Sequence, residues 1–429
     1  VMFDQCKALI IGLQKRGAVV GSSLNTAYLL ERLSQTLERL ETLMAIFVSN
    51  RYLPRRILLL TGCFARAAAE RHSISRLWKQ SSGLMARSVT QNAGDHGEHY
   101  ITRDKKEYWA MFYSAAGGGV LIALMALFKT YLGSIIDDKV WKGIAEGLNY
   151  GLGFMVIFML HFTVATKQPA MTAARFAEAV EKTPQGKTVN MKLAQLLVDV
   201  FRSQSIAVLG NVLIAMGLAA LIAFGYQYKT GESLMNADQI AYQLHSIDPL
   251  AGTLWFAAIA GVWLFCSGII SGYFDNRSNY LNMRMRLAQH PLLKKLMSEK
   301  TRVKFANYMH ENYGSLIGNL CFGMLLGITG VVGYLTHLPL DIRHVAFSSA
   351  NVGYIAVSGH FTYSLLLQCI GFVLLIGLVN LIVSFSLTLW VALRSLNAEI
   401  DSWWPIWHEV CQIVKKRPLS LFLPVQLDK

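Results

Sequence analysis

Six apolar stretches dominate this chain, and each approaches or exceeds the roughly 20 residues a helix needs to cross about 30 Å of hydrocarbon. They run approximately Ala110–Leu132, Leu148–Thr166, Ser205–Tyr226, Ala251–Tyr273, Ser315–Leu335 and Leu365–Leu393. In a bilayer core without water, isolated segments of this length satisfy their backbone groups only as helices. The cations between them alternate. Residues 1–109 hold sixteen Lys and Arg, the first loop only Lys139 and Lys142, the second loop six, the third only Lys229, the fourth eight, the fifth only Arg343 and the tail five. Cytoplasmic loops are the ones that keep Lys and Arg. The pattern therefore predicts an all-α, polytopic transmembrane helical bundle of six spans, N-in and C-in. One missed or added span would break the alternation.

Composition agrees with lipid as the solvent. Hydrophobic residues make up 53% and charged residues 15% of the chain, where soluble domains carry about a quarter charged. The net charge of +14 follows from the loop alternation and needs no nucleic-acid partner. The expected organisation is a cytoplasmic helical region over 1–109, a transmembrane domain over 110–395 and a cytoplasmic tail over 396–429. The expected location is the cytoplasmic (inner) membrane of a bacterial-type cell, with both ends on the cytoplasmic side, and membrane lipids are the first partners. The chain begins at Val1 and reads as a fragment or processed form. Its first apolar run, Ala8–Leu13, is too short for a cleavable signal and lacks a cleavage site. Six cysteines without a C-x-x-C pair predict reduced thiols and no disulfide framework.

Within the N-terminal region, Leu30, Leu33, Leu37, Leu40, Met44 and Phe47 follow 3-4 spacing. The seam covers about two and a half heptads, short of an independent coiled coil. It predicts a helix packed in a small bundle, or alternatively a surface for a protein partner or a homo-oligomer. Pro54 opens a further helix reaching to about Arg87. In the tail, Trp403, Trp404 and Trp407 suit the headgroup interface and equally suit packing on cytoplasmic helices.

Several clusters could carry chemistry. His96, Glu98 and His99, just before the first span, have metal-ligand side chains. Gly97 between them argues against one helical face, and a polar cap for the helix start explains the same residues. Lys129, toward the outer end of the first span, is expected to snorkel outward beside Tyr131, with a ligand or ion contact as the alternative. His161, Lys167 and Gln168 surround the end of the second span, where Pro169 stops or kinks the helix and frees carbonyls. Broken helices at membrane depth build ligand sites in transporters. Asp341, Arg343 and His344 precede the apolar, small-residue stretch Val345–Val357, which is too short to span and predicts a half-helix or re-entrant hairpin. Asp341 and Arg343 could pair as a latch, and His337, Asp341 and His344 could hold a metal. Gly147 and Gly151, with Gly323, Gly327 and Gly330, predict close helix packing. No P-loop, dinucleotide fingerprint, nucleophile elbow or kinase set occurs, and no cofactor is specified.

The segments GEHYIT (Gly97–Thr102), SAAGGG (Ser114–Gly119), ATKQPAMTA (Ala165–Ala173), SGYFDNR (Ser271–Arg277), LPLDIRHVAFSSANVGY (Leu338–Tyr354) and VSFSLTLWVALRS (Val383–Ser395) resemble a family of bacterial polytopic membrane proteins that carries the label site-specific recombinase. The resemblance covers roughly Arg87 to Ser395 and is most specific in the fifth loop. It implies a multi-pass membrane protein and, by its label, DNA recombination or DNA association at the membrane. The residues themselves favour a transport, channel or lipid- or small-ligand-handling protein, with a site near the second span and fifth loop. A membrane-bound enzyme is a further alternative.

Overall fold

The computed structural model describes residues 2–20, 24–48, 53–69, 101–102, 104–165, 180, 187–358, 361–395 and 402–424. His96, Glu98, His99, Lys167 and Gln168 lie outside these residues, as does Pro169. Among the described residues there is no strand. The helices are α1 (Met2–Val20), α2 (Leu24–Val48), α3 (Leu53–Ala69), α4 (Lys105–Ile135), α5 (Lys139–Met159), α6 (Lys187–Thr230), α7 (Ala237–Ile247), α8 (Thr253–Tyr280), α9 (Met283–Gln289), α10 (Pro291–Leu296), α11 (Glu299–Thr336), α12 (Val345–Ala356), α13 (Tyr363–Ser395) and α14 (Trp404–Lys416).

Two compact units form. One takes in Val1–Asn92, Gly272–Tyr313 and Arg394–Leu396, the other Ala93–Ser271, Gly314–Leu393 and Asn397–Lys429. In the first, α1 packs on α2, tied by Lys7 and Glu41, and Arg302 donates Nε–H to the Ala288 carbonyl at 2.7 Å. The seam on α2 is helical as its spacing requires, but Leu33, Leu40 and Met44 stay 47–50% exposed.

The second unit holds the apolar bundle. Five helices are long and apolar enough to cross a membrane: α4, α6, α8, α11 and α13. The second predicted span departs from expectation. Its helix, α5, starts nine residues earlier, with Lys139, Lys142 and Glu146 in its first turns, and stops at Met159 instead of Thr166. The physical reason is tertiary. His161 takes a left-handed φ of 58°, and the chain then runs as a non-helical segment against α4 and α6. Thr163 N–H donates to the Ser114 carbonyl at 3.1 Å. Asn211, fully buried on α6, donates to the Thr163 and Ala115 carbonyls and accepts from Ala165 N–H at 2.7 Å. One amide side chain thus satisfies a backbone that would otherwise be orphaned in the interior.

Glycines bring two helices into close contact, as the sequence pattern predicts. A Cβ on Gly327 would sit 2.3 Å from Gly147 Cα, and one on Gly323 would sit 2.0 Å from Gly151 N. Helices α5 and α11 therefore meet backbone to backbone. Gly330, by contrast, faces open space.

The Val345–Val357 stretch forms α12, a 12-residue helix buried on nearly every side. At 1.5 Å per residue it is about 18 Å long, too short to cross. It lies on α6, where Gly353 approaches the Met216 carbonyl, and Tyr354 donates its hydroxyl to the Ala123 carbonyl of α4 at 2.8 Å. A helix apolar all round must be buried all round, and the bundle does this with α4, α6 and the aromatic rings of α5.

Near Thr102 the tail closes the unit. Arg202, 4% exposed, pairs with Asp199 at 2.9 Å and donates to the Thr102 carbonyl at 2.6 Å and the Ser420 carbonyl at 3.5 Å. Tyr108 donates to the Phe422 carbonyl at 2.7 Å. On α14, Ile406 is buried while Trp404 and Trp407 are exposed, so only one side of the Trp-bearing helix packs on protein.

Candidate functional site

Four segments meet around a cavity of about 450 Å³. The C-terminal part of α4 supplies Lys129 and Thr130, α5 supplies Lys142, Glu146 and Tyr150, α7 supplies Asp238, Gln239 and Tyr242, and the fifth loop with the start of α12 supplies Asp341, Arg343, His344 and Asn351. Lys142, Glu146 and Tyr150 are spaced i, i+4, i+8, which places them on one stripe of α5. Helix α7 is held by a capping box in which the Asn236 side chain accepts from Gln239 N–H and the Gln239 side chain accepts from Asn236 N–H.

The charges along this wall are mostly paired. Lys129 Nζ lies 3.3 Å from Glu146 Oε2 and 5.6 Å from the Tyr150 ring centroid. The carboxylate on the adjoining helix holds the ammonium, while Tyr131, the neighbour expected to accompany it, stacks on Phe128. The Lys129 side chain keeps 39% of its surface exposed, against 14% for Glu146. Arg343 makes the predicted latch, with Nη1 2.6 Å from Asp341 Oδ2. Its Nε–H donates to the Ser246 carbonyl at 2.7 Å, joining the fifth loop to α7. Behind it, Asn380 of α13 donates to the Arg343 and Ala257 carbonyls and accepts from Val345 N–H.

His344 forms part of the cavity floor. Its ring lies 5.9–6.4 Å from those of Phe154, Phe322 and Phe347, and the residue is 1% exposed. Burial among these rings disfavours the imidazolium and pushes the pKa down to about 4.

The structure divides the residues singled out in the sequence. Asp341, Arg343 and His344 come together at the cavity. His161 does not join them: it is exposed, beyond the far end of α5, whose Met159 lies about 20 Å from Glu146 at the helical rise. Among the described residues no group of three or more His, Cys, Asp or Glu side chains could hold a metal, so His337, Asp341 and His344 do not converge as ligands. Glu146, Lys142 and the α7 residues were not among the candidate site residues read from the sequence, where Lys142 counted only as a first-loop cation. Two signals point to them: an acid near the start of an apolar run, and the N-x-x-Q spacing of Asn236 and Gln239. Asn211 was legible in the same way, as the one amide within its apolar run.

Comparison with known proteins bears on the whole chain. A family model described as site-specific recombinase matches residues 1–424. The chain belongs to the site-specific recombinase family. The match reaches beyond the Arg87–Ser395 resemblance and takes in the N-terminal helices and the tail. For this family member no curated protein and no solved structure matches. The cavity, the Asn211 anchor and the Arg202 clamp all fall within the matched residues.

Proposed function

We propose that this protein is a six-span protein of the bacterial cytoplasmic membrane, with both termini in the cytoplasm, that handles a small polar ligand in the α4–α5–α7–α12 cavity. In this reading α5 is the sixth crossing. Its 21 residues extend about 32 Å, enough for the hydrocarbon. Residues 1–109 form the cytoplasmic region, which can recruit a protein partner or a second copy, 110–395 the membrane domain and 396–429 the tail. Every wall of the cavity comes from a loop poor in Lys and Arg, or from a helix end beside one, so the positive-inside bias turns its mouth to the non-cytoplasmic side.

The observation that carries the reading is the cavity itself. Its volume of about 450 Å³ is in the range of ligand sites, about 300–1,000 Å³. It is lined by ionisable groups that a lipid-embedded bundle keeps chiefly for binding or transport. The test is labelling of Asn351→Cys by a membrane-impermeant thiol reagent in intact cells. Labelling without permeabilisation is expected, while the exposed Cys411 of α14 should react only after permeabilisation. The opposite pattern would refute the topology.

The family description favours a second reading, DNA recombination or DNA association at the membrane. None of the eleven histidines has an arginine three residues later, the H-x-x-R element a tyrosine recombinase uses. Duplex binding by the full chain that weakens steeply with salt, together with a Tyr or Ser covalently joined to DNA, would establish that reading over the first.

A further inference from the structure

Six charged side chains line the cavity: Lys129, Lys142 and Arg343 against Glu146, Asp238 and Asp341. The protein pairs four of them with one another, Lys129 with Glu146 and Arg343 with Asp341. Lys142 and Asp238 are left. Neither makes an ion pair or a side-chain hydrogen bond with any described residue. They stand on different walls, Lys142 in the first turn of α5 and Asp238 in the first turn of α7. The cavity thus offers one uncommitted ammonium and one uncommitted carboxylate, with no net charge.

We infer that the cavity takes a small zwitterion, whose ammonium faces Asp238 and whose carboxylate or phosphodiester faces Lys142. The inference rests on the cavity being a ligand site. The selectivity argument is one of desolvation. Asp238 is exposed and Lys142 half-buried in the unliganded protein, so the cost arises when a ligand covers them: a singly charged molecule satisfies one of the two side chains and displaces water from the other without giving it a partner. A neutral molecule leaves both. A zwitterion compensates both and keeps the total charge at zero. The amides of Gln239 and Asn351 add donors and acceptors for its remaining polar atoms. The chemistry is shared by a free α-amino acid and by the ethanolamine headgroup of a phospholipid.

The test uses the purified full chain in detergent, with thermal unfolding and titration calorimetry as readouts. The probes are alanine, glycerophosphoethanolamine, ethylammonium chloride and sodium acetate. At least one zwitterion should raise the melting temperature saturably, and the two singly charged compounds at equal concentration should not. Binding of alanine alone points to a free amino acid as source, and binding of glycerophosphoethanolamine alone to a lipid headgroup. Lys142→Gln and Asp238→Asn should each weaken that zwitterion at least about 10-fold, as loss of a charge-assisted contact does, without changing the melting temperature of the unliganded protein.

Three results would overturn the inference: ethylammonium or acetate binding as tightly as the zwitterion, zwitterion binding indifferent to both substitutions, or no binding of any probe. If no probe binds while Asn351→Cys is labelled from outside, the ligand class falls and the open cavity stands. If Asn351→Cys is not labelled from outside, the underlying reading falls with it.

Discussion

The two ends of the membrane unit treat polar groups in opposite ways. Toward Thr102, Asn211 and Arg202 are spent on backbone: their donors and acceptors close an unwound segment and clamp the tail. Toward Asp341, charged groups pair across a space that stays open. The first arrangement stabilises a fold, because each interior carbonyl or amide left unmet would be costly. The second holds ionisable groups beside a void, an arrangement that packing alone does not require. The contrast separates scaffold from site within one bundle.

The largest effect is expected where polarity is used for structure. Asn211→Leu orphans one N–H and weakens the bonding of two carbonyls, at about 1–3 kcal/mol for each buried group left unsatisfied. A loss of about 4 kcal/mol in detergent or SDS unfolding is expected. A loss under about 1 kcal/mol would mean that the segment after His161 finds other partners.

Next comes the floor of the cavity. His344 is held neutral in the folded protein, with its pKa down at about 4 against an unfolded value near 6.5. The sign is that of a depressed histidine. Its contribution is complete above about pH 6.5 and is lost as pH falls toward 4, because the unfolded chain binds the proton first. The span corresponds to about 3 kcal/mol. Melting temperatures measured from pH 7 to 4 should fall more steeply for the native chain than for His344→Gln.

Smaller effects are expected at the paired charges. Glu146→Gln leaves the Lys129 ammonium beside α5 without its counter-ion. A loss of about 2 kcal/mol is expected, kept modest by the exposure of Lys129. Lys129→Met combined with Glu146→Leu should recover most of it, which a double-mutant cycle would read directly. Least of all, Lys142→Gln and Asp238→Asn should alter unliganded stability by no more than about 0.5 kcal/mol. If they destabilised as strongly as Asn211→Leu, the proposed division between scaffold and site would fail.

Much of the scaffold was legible in the sequence. Apolar length and small-residue spacing located five long helices and the glycine contact of α5 with α11, because lipid forces helices and backbone approach demands glycine. The stretch Val345–Val357 announced a short buried helix for the same reason: it was too apolar for a loop and too short to cross. The end of α5 was not legible. Phe162–Ala165 is as apolar as the helix before it, and what unwinds it is a single distant amide, Asn211. The cavity was half legible. Asp341, Arg343 and His344 stood out against an apolar background, whereas Lys142, Asp238 and Tyr242 looked like ordinary loop residues. Only the tertiary fold aligns them on facing walls.

Helix α6 has a mechanical consequence. Its 44 residues contain no proline, so it extends about 66 Å, grasped about a third of the way along by Arg202, near its middle by Asn211 and just beyond by α12 at Met216. A tilt of about 10° pivoting at Asn211 would move Arg202, nine residues away, by roughly 2 Å, given the helical rise of 1.5 Å per residue. Any rearrangement of α12 that followed occupancy of the chamber would therefore be felt as leverage at the tail clamp.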